Sequence, residues 1–61
     1  MYIINNKGEI FNTDCICEIT TDNVHVFAVW DGNPRTISYN VEALKTIADG
    51  LRNNASIVEV D

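Results

Sequence analysis

The side chains able to ligate, attack or shuttle a proton are few. Cys15-Ile16-Cys17 and His25 are the only thiol and imidazole groups in the chain. On a strand, residues i and i+2 point the same way but lie roughly 6.5–7 Å apart, at or beyond the usual reach of a disulfide. Two thiolates and His25 would supply three metal ligands, yet their spacing fits no standard zinc pattern. A strand carrying two small core side chains is the simplest expectation, with a redox role for the C-x-C pair as the alternative. His25 has no serine or cysteine beside it with an orienting acid in a triad-like pattern. Gly8, Gly32 and Gly50 are isolated, so no glycine-rich phosphate loop exists. Arg35 stands across a turn from Trp30, where a guanidinium can stack on an indole at the edge of a core. These residues predict no catalytic set, no cofactor and no metal, and so not an enzyme.

Charge narrows the partners. Nine Asp and Glu against four Lys and Arg give a net charge of −5. The cations Lys7, Arg35, Lys45 and Arg52 are scattered and form no stripe to neutralise phosphates, which argues against direct nucleic-acid binding. Acidity serves solubility, or it presents a face to a basic groove. The longest apolar run, Val26 to Trp30, is far too short for a membrane span. The N-terminal MYIINNKGEIF has neither a basic segment before a long apolar core nor a cleavage site, so a cytoplasmic location is expected.

Sixty-one residues make a single domain, 1–61. A domain this small buries only about 60% of its unfolded surface and usually leans on disulfides, a metal or oligomerisation. With the first two disfavoured, a homo-oligomer, most simply a homodimer, is expected.

The elements that must position these residues follow from pattern and punctuation. YII opens a strand, and Asn6-Lys7-Gly8 forms a three-residue hairpin loop that sets Ile4 opposite Ile10 and Ile3 opposite Phe11. Asn12-Thr13-Asp14 marks a bend or bulge. CICEITT, 15–21, is the next strand, Asp22-Asn23 a two-residue turn, and VHVFAVW the strand after it. Asp31-Gly32-Asn33-Pro34 reads as a four-residue turn before RTISY. Asn40 caps a helix whose apolar stripe is Leu44, Ile47, Ala48 and Leu51. Gly50 weakens that helix near its end, and SIVEV closes the chain as a strand. The expected fold is α+β, an antiparallel β-meander of four to six strands with one helix on one face.

With that register, Cys15, Cys17, Ile19, Val26, Ala28, Trp30, Ile37 and Tyr39 share the face the helix covers. Ile16, Glu18, Thr20, His25, Phe27, Val29, Thr36 and Ser38 form the other, with His25 opposite Thr20. No second helix covers it, and an apolar centre with a polar rim has the composition of an interface. Ile16, Glu18, His25, Phe27 and Val29 are therefore the candidate partner or dimer surface. Asp22 and Asp31, at hairpin turns, are candidate electrostatic contacts.

The order KGEIFNTDCICEI, VFAVWDGNPRTIS, EALKTIADGL resembles a class of very short phage and mobile-element proteins of Gram-positive bacteria that pair a β-meander with one helix. The likeness spans nearly the whole chain and consists of hydrophobic spacing and turn chemistry. Some phage proteins of this size are dimers that inhibit host defence systems. The resemblance thus implies a small acidic protein that binds and blocks a host protein, such as a nucleic-acid-processing nuclease or helicase. The alternative is a protein that sequesters a nucleotide signal, for which Arg35 and the helix start at Asn40 are the candidate phosphate contacts.

Overall fold

The computed structural model describes residues 1–61. Its elements are β1 (Tyr2–Ile4), β2 (Ile10–Asn12), a 3₁₀ turn (Thr13–Cys15), β3 (Glu18–Thr21), β4 (Val26–Trp30), β5 (Asn33–Ser38), α1 (Glu42–Arg52) and β6 (Ile57–Glu59). The fold is α+β, as expected, but the strands divide into two three-stranded sheets, ordered β2-β1-β6 and β3-β4-β5. Only the second is a meander. In the first, β6 returns to lie parallel to β1.

The first hairpin has the expected register, with Ile4 opposite Ile10 and Ile3 opposite Phe11. Gly8 supplies the left-handed residue that the loop needs, at φ 78°. The next connection departs from the expected strand. Asn12 accepts the N–H of Asp14 on its side chain, and the Thr13 hydroxyl donates to the Met1 carbonyl. The first of these bonds is local and the second anchors the segment to the chain start; residues 13–15 wind into a 3₁₀ turn, so β3 begins at Glu18 rather than at Cys15.

Both meander turns differ from expectation by compensating amounts. The loop after β3 has four residues, because Thr21 pairs with Val26. The Asp22 carboxylate accepts the N–H groups of Val24 and His25 and holds the loop open. A two-residue turn of the tight hairpin type wants positive φ at both centres; here only Asn23 has it, at 73°. The next loop is shorter than expected. Asp31 and Gly32, at φ 54° and 75°, form the two-residue turn alone, and Asn33 and Pro34 belong to β5. Pro34 is tolerated because β5 is an edge strand. The first change moves its register by two residues, so the side chains of β3 keep their faces.

A bulge in β5 does alter the faces. Val26 pairs with Ser38 and Phe27 with Thr36, which leaves Ile37 as the extra residue. Ile37 and Ser38 are both buried. Ser38, expected on the open face, is thus turned inward, where its hydroxyl pairs with the backbone of Asn40.

The core lies between the two sheets and the helix. Ile3, Phe11 and Val58 come from one sheet, Val26, Ala28 and Ile37 from the other, and Ala43 and Ile47 from α1, with Val60 beside them. The helix is therefore only part of the cover over the meander. It starts at Glu42, just beyond Asn40, whose side-chain oxygen accepts the Glu42 N–H at 3.0 Å. Its fully buried residues are Ala43, Ile47 and Gly50; of the expected stripe Ile47 is buried, Leu44 and Ala48 are half-buried, and Leu51 is 52% exposed. The reason is Gly50. A Cβ there would overlap the Val58 side chain, so the bare backbone lets the helix settle on β6 along its small residues and tips Leu51 outward.

Asn5 joins the sheets. It is buried, and its side-chain oxygen accepts the N–H groups of Lys7 and Glu9. Its amide nitrogen donates to the Glu9 carboxylate and to the Ile37 carbonyl, both at 2.9 Å. The loop after β1 is thereby tied to the bulge in β5.

Two predictions follow from this packing. Asn5→Ala orphans the buried Ile37 carbonyl and should cost about 1–3 kcal/mol from that group alone. Asn5→Asp should cost more, since it puts a carboxylate against Glu9; urea melts compare them. Gly50→Ala should destabilise by about 1–3 kcal/mol through overpacking against Val58, despite the better helix propensity of alanine. An unchanged melting midpoint would show that the helix can back away from β6.

Candidate functional site

The sequence-predicted residues do not form one surface. Phe27 and Val29 do lie on the outer face of the meander, in rows with Thr20 and Thr36 and with Glu18 and Pro34. Phe27 is half-buried, with the His25 ring 5.6 Å away and a threonine on each side. The face is partly covered by its own neighbours. Ile16 is not on it: the 3₁₀ turn carries Ile16 round to pack against the core. His25 is not opposite Thr20 but in the loop after β3.

At that loop, His25 Nδ1 and Asp22 Oδ2 are 3.1 Å apart. An ionised carboxylate only accepts, so Nδ1 carries the proton. The His25 ring also meets Tyr39 edge-to-face with centroids 4.9 Å apart, and Lys7 lies 5.0 Å over the same tyrosine. Asp22 is thus a structural residue of its loop. The His25 N–H, then the His25 ring and the Val24 N–H, hold its carboxyl at about 2, below the ordinary 3.8. Asp31 is exposed and makes no ion pair.

The cysteines are corrected from core to surface. Both are free and exposed, because Cys15 ends the 3₁₀ turn and Cys17 precedes β3. No group of three or more His, Cys, Asp or Glu side chains is placed to hold a metal, and His25 lies in the loop after β3 while both thiols precede that strand.

Cys15 borders a cleft of about 200 Å³ with Ile10, Phe11, Trp30, Arg35 and Glu9. Phe11 and Trp30 meet edge-to-face with centroids 6.4 Å apart. The Arg35 guanidinium lies 5.7 Å over Trp30 and 6.0 Å over Phe11, so the expected stack forms, and it reaches Glu9 at 3.1 Å. Glu9 is held below the usual carboxylate range by the Asn5 amide, with Arg35 adding to it. The two residues expected to meet a phosphate are apart: Arg35 lines this cleft, while Asn40 lines another and contacts the Asp61 carboxylate at 3.3 Å. A carboxylate already stands at that helix start.

The surface that sequence reasoning missed is on the other sheet. Ile3, Phe11 and Val58 face inward, so their alternates face out. Tyr2, Ile10 and Ile57 are 48%, 65% and 56% exposed, with Ile4 between them. Asn12 and Glu59 form the polar margin. The signal was present in the two flanking apolar runs, YII and SIV, but only the parallel return of β6 brings Tyr2 beside Ile57.

Compared with protein-family models, with curated proteins and with solved structures, the chain matches none of them. No helix is long and apolar enough to cross a membrane.

The Asp22 network predicts acid sensitivity. The unfolded chain protonates Asp22 near pH 3.8, the folded chain only near 2. The stability it contributes is full above that upper value and is lost as pH falls through the lower one. Glu9 acts in the same direction. Asp22→Asn should lower the urea midpoint at neutral pH, and its deficit should shrink as pH approaches 2. A constant deficit across that range would exclude the carboxylate as the cause.

Proposed function

We propose that this chain works by binding: it pairs with a second copy and occupies a larger, basic protein, blocking it. The observation that carries the reading is the uncovered apolar face of Tyr2, Ile4, Ile10 and Ile57 on the β2-β1-β6 sheet. Glu59 is the one carboxylate in its cross-strand rows, and Glu9 beside Ile10 is paired with Arg35, so two copies of net charge −5 can meet there with little repulsion. The outer edges of β2 and β6 are unpaired and lie beside it. A standard interface takes about 800 Å² from each partner. That is about a fifth of the 4009 Å² surface, or one side of a body 25 × 23 × 21 Å. On the resemblance to short phage proteins, the blocked protein is a host defence component such as a nuclease or helicase, whose basic groove suits an acidic occupant.

Light scattering at micromolar concentration should give about twice the chain mass. Ile10→Glu with Ile57→Glu, which places carboxylates from both copies on the shared face, should yield a folded monomer by circular dichroism. Glu18→Lys, on the outer face of the meander, should remain a dimer. A native chain that scatters as a monomer removes the reading.

A further inference from the structure

Between the 3₁₀ turn, the start of β3 and the end of α1 runs a shallow groove of about 450 Å³. Its apolar lining is Ile16, Ile19 and Leu51, and Asp14, Cys17 and Glu18 border it. Leu51 is the helix residue tipped outward by the close approach at Gly50, so a large apolar side chain is held at the groove wall instead of in the core. Neither Asp14 nor Glu18 has a cationic partner: the ion pairs of the molecule are Asp22 with His25, Glu9 with Arg35 and Asp49 with Arg52. Two uncompensated carboxylates beside an apolar strip match one kind of side chain especially well. Lysine and arginine lay an aliphatic stem along apolar surface and carry their charge at the tip.

We propose that this groove is the docking site for a basic segment of the blocked protein, in which lysine or arginine alternates with aliphatic residues; the proposal rests on the binding role argued above. The aliphatic parts lie on Ile16, Ile19 and Leu51, and the cations reach Asp14 and Glu18. A second copy of the chain is the wrong occupant. It brings the same net −5, and of its four cations Arg35 and Arg52 pair with carboxylates while Lys7 lies over Tyr39, leaving Lys45. Charge therefore divides the surface: the nearly uncharged sheet face suits a copy, and the acid-bordered groove suits a basic partner.

The two exposed cysteines make the test direct, because Cys17 borders the groove and Cys15 borders the neighbouring cleft at Trp30, which shares only Ile16 with it. Alkylation by N-ethylmaleimide is followed in the full chain carrying Cys15→Ser, which reports Cys17, and in the chain carrying Cys17→Ser, which reports Cys15. The probes are a short peptide alternating lysine with leucine and one of equal charge alternating lysine with serine. The lysine–leucine peptide should slow alkylation of Cys17 and leave Cys15 unchanged. Asp14→Asn with Glu18→Gln should weaken that protection about tenfold. Leu51→Ser should weaken it as well, without loss of fold. Equal protection by the serine peptide, equal protection of both thiols, or indifference to the Asp14 and Glu18 substitutions would each overturn the proposal. Repeating the alkylation on Ile10→Glu/Ile57→Glu separates the two readings. Protection of Cys17 whatever the oligomeric state supports the groove, whereas a native dimer whose Cys17 stays unprotected overturns the groove alone.

Discussion

Four hydrogen bonds to one buried side chain set the geometry on which the rest depends. Asn5 uses both lone pairs of its amide oxygen on the hairpin loop after β1, and both N–H groups on Glu9 and Ile37. A buried amide with a missing partner is costly, so these elements must sit where all four bonds close together. The β5 bulge offers the carbonyl of Ile37 to that amide, and it turns Ile37 and Ser38 inward. The bulge, the first hairpin and the joint between the sheets are therefore one arrangement.

Joining two small sheets changes how apolar surface is shared. A single meander would leave its outer face to the solvent and depend on the helix alone. Here the β2-β1-β6 sheet helps α1 to close the core, and the outer face of the meander keeps Phe27 half-covered by His25 and two threonines. The cost moves to the added sheet. Its strands alternate, its inner residues are buried, and Tyr2, Ile10 and Ile57 are left outside. None of the other elements formed by these residues covers that side.

Among the charged residues, two roles stand apart. Glu9, Asp22 and Asp49 are bound to cations or backbone N–H groups and serve the fold. Asp14, Glu18 and Asp31 make no ion pair and project into solvent. Exposed carboxylates of this kind steer encounter with a basic partner and add little to stability. Arg35 belongs to the first group despite its exposure, because Trp30, Phe11 and Glu9 all hold it.

Local chemistry was legible in the sequence wherever it acted within a few residues. Asn6-Lys7-Gly8 determined the first hairpin and its register, and Asn12-Thr13-Asp14 marked the break before β3. Asn40 marked the helix start. Period-two alternation placed Val26 and Ala28 inward and Phe27 and Val29 outward, and a register error of two residues after β3 left those faces intact. What the sequence could not determine were contacts between segments far apart in the chain. The parallel return of β6 to β1, the bond from Asn5 to Ile37 across 32 positions, and the roll of α1 onto Gly50 each depend on where other elements already lie. Those contacts decided that Leu51 faces solvent, that Ser38 does not, and that the uncovered apolar face belongs to the chain termini. Local hydrogen bonds and alternation are properties of a short segment; which face ends up uncovered is settled only when every segment competes for the same small core.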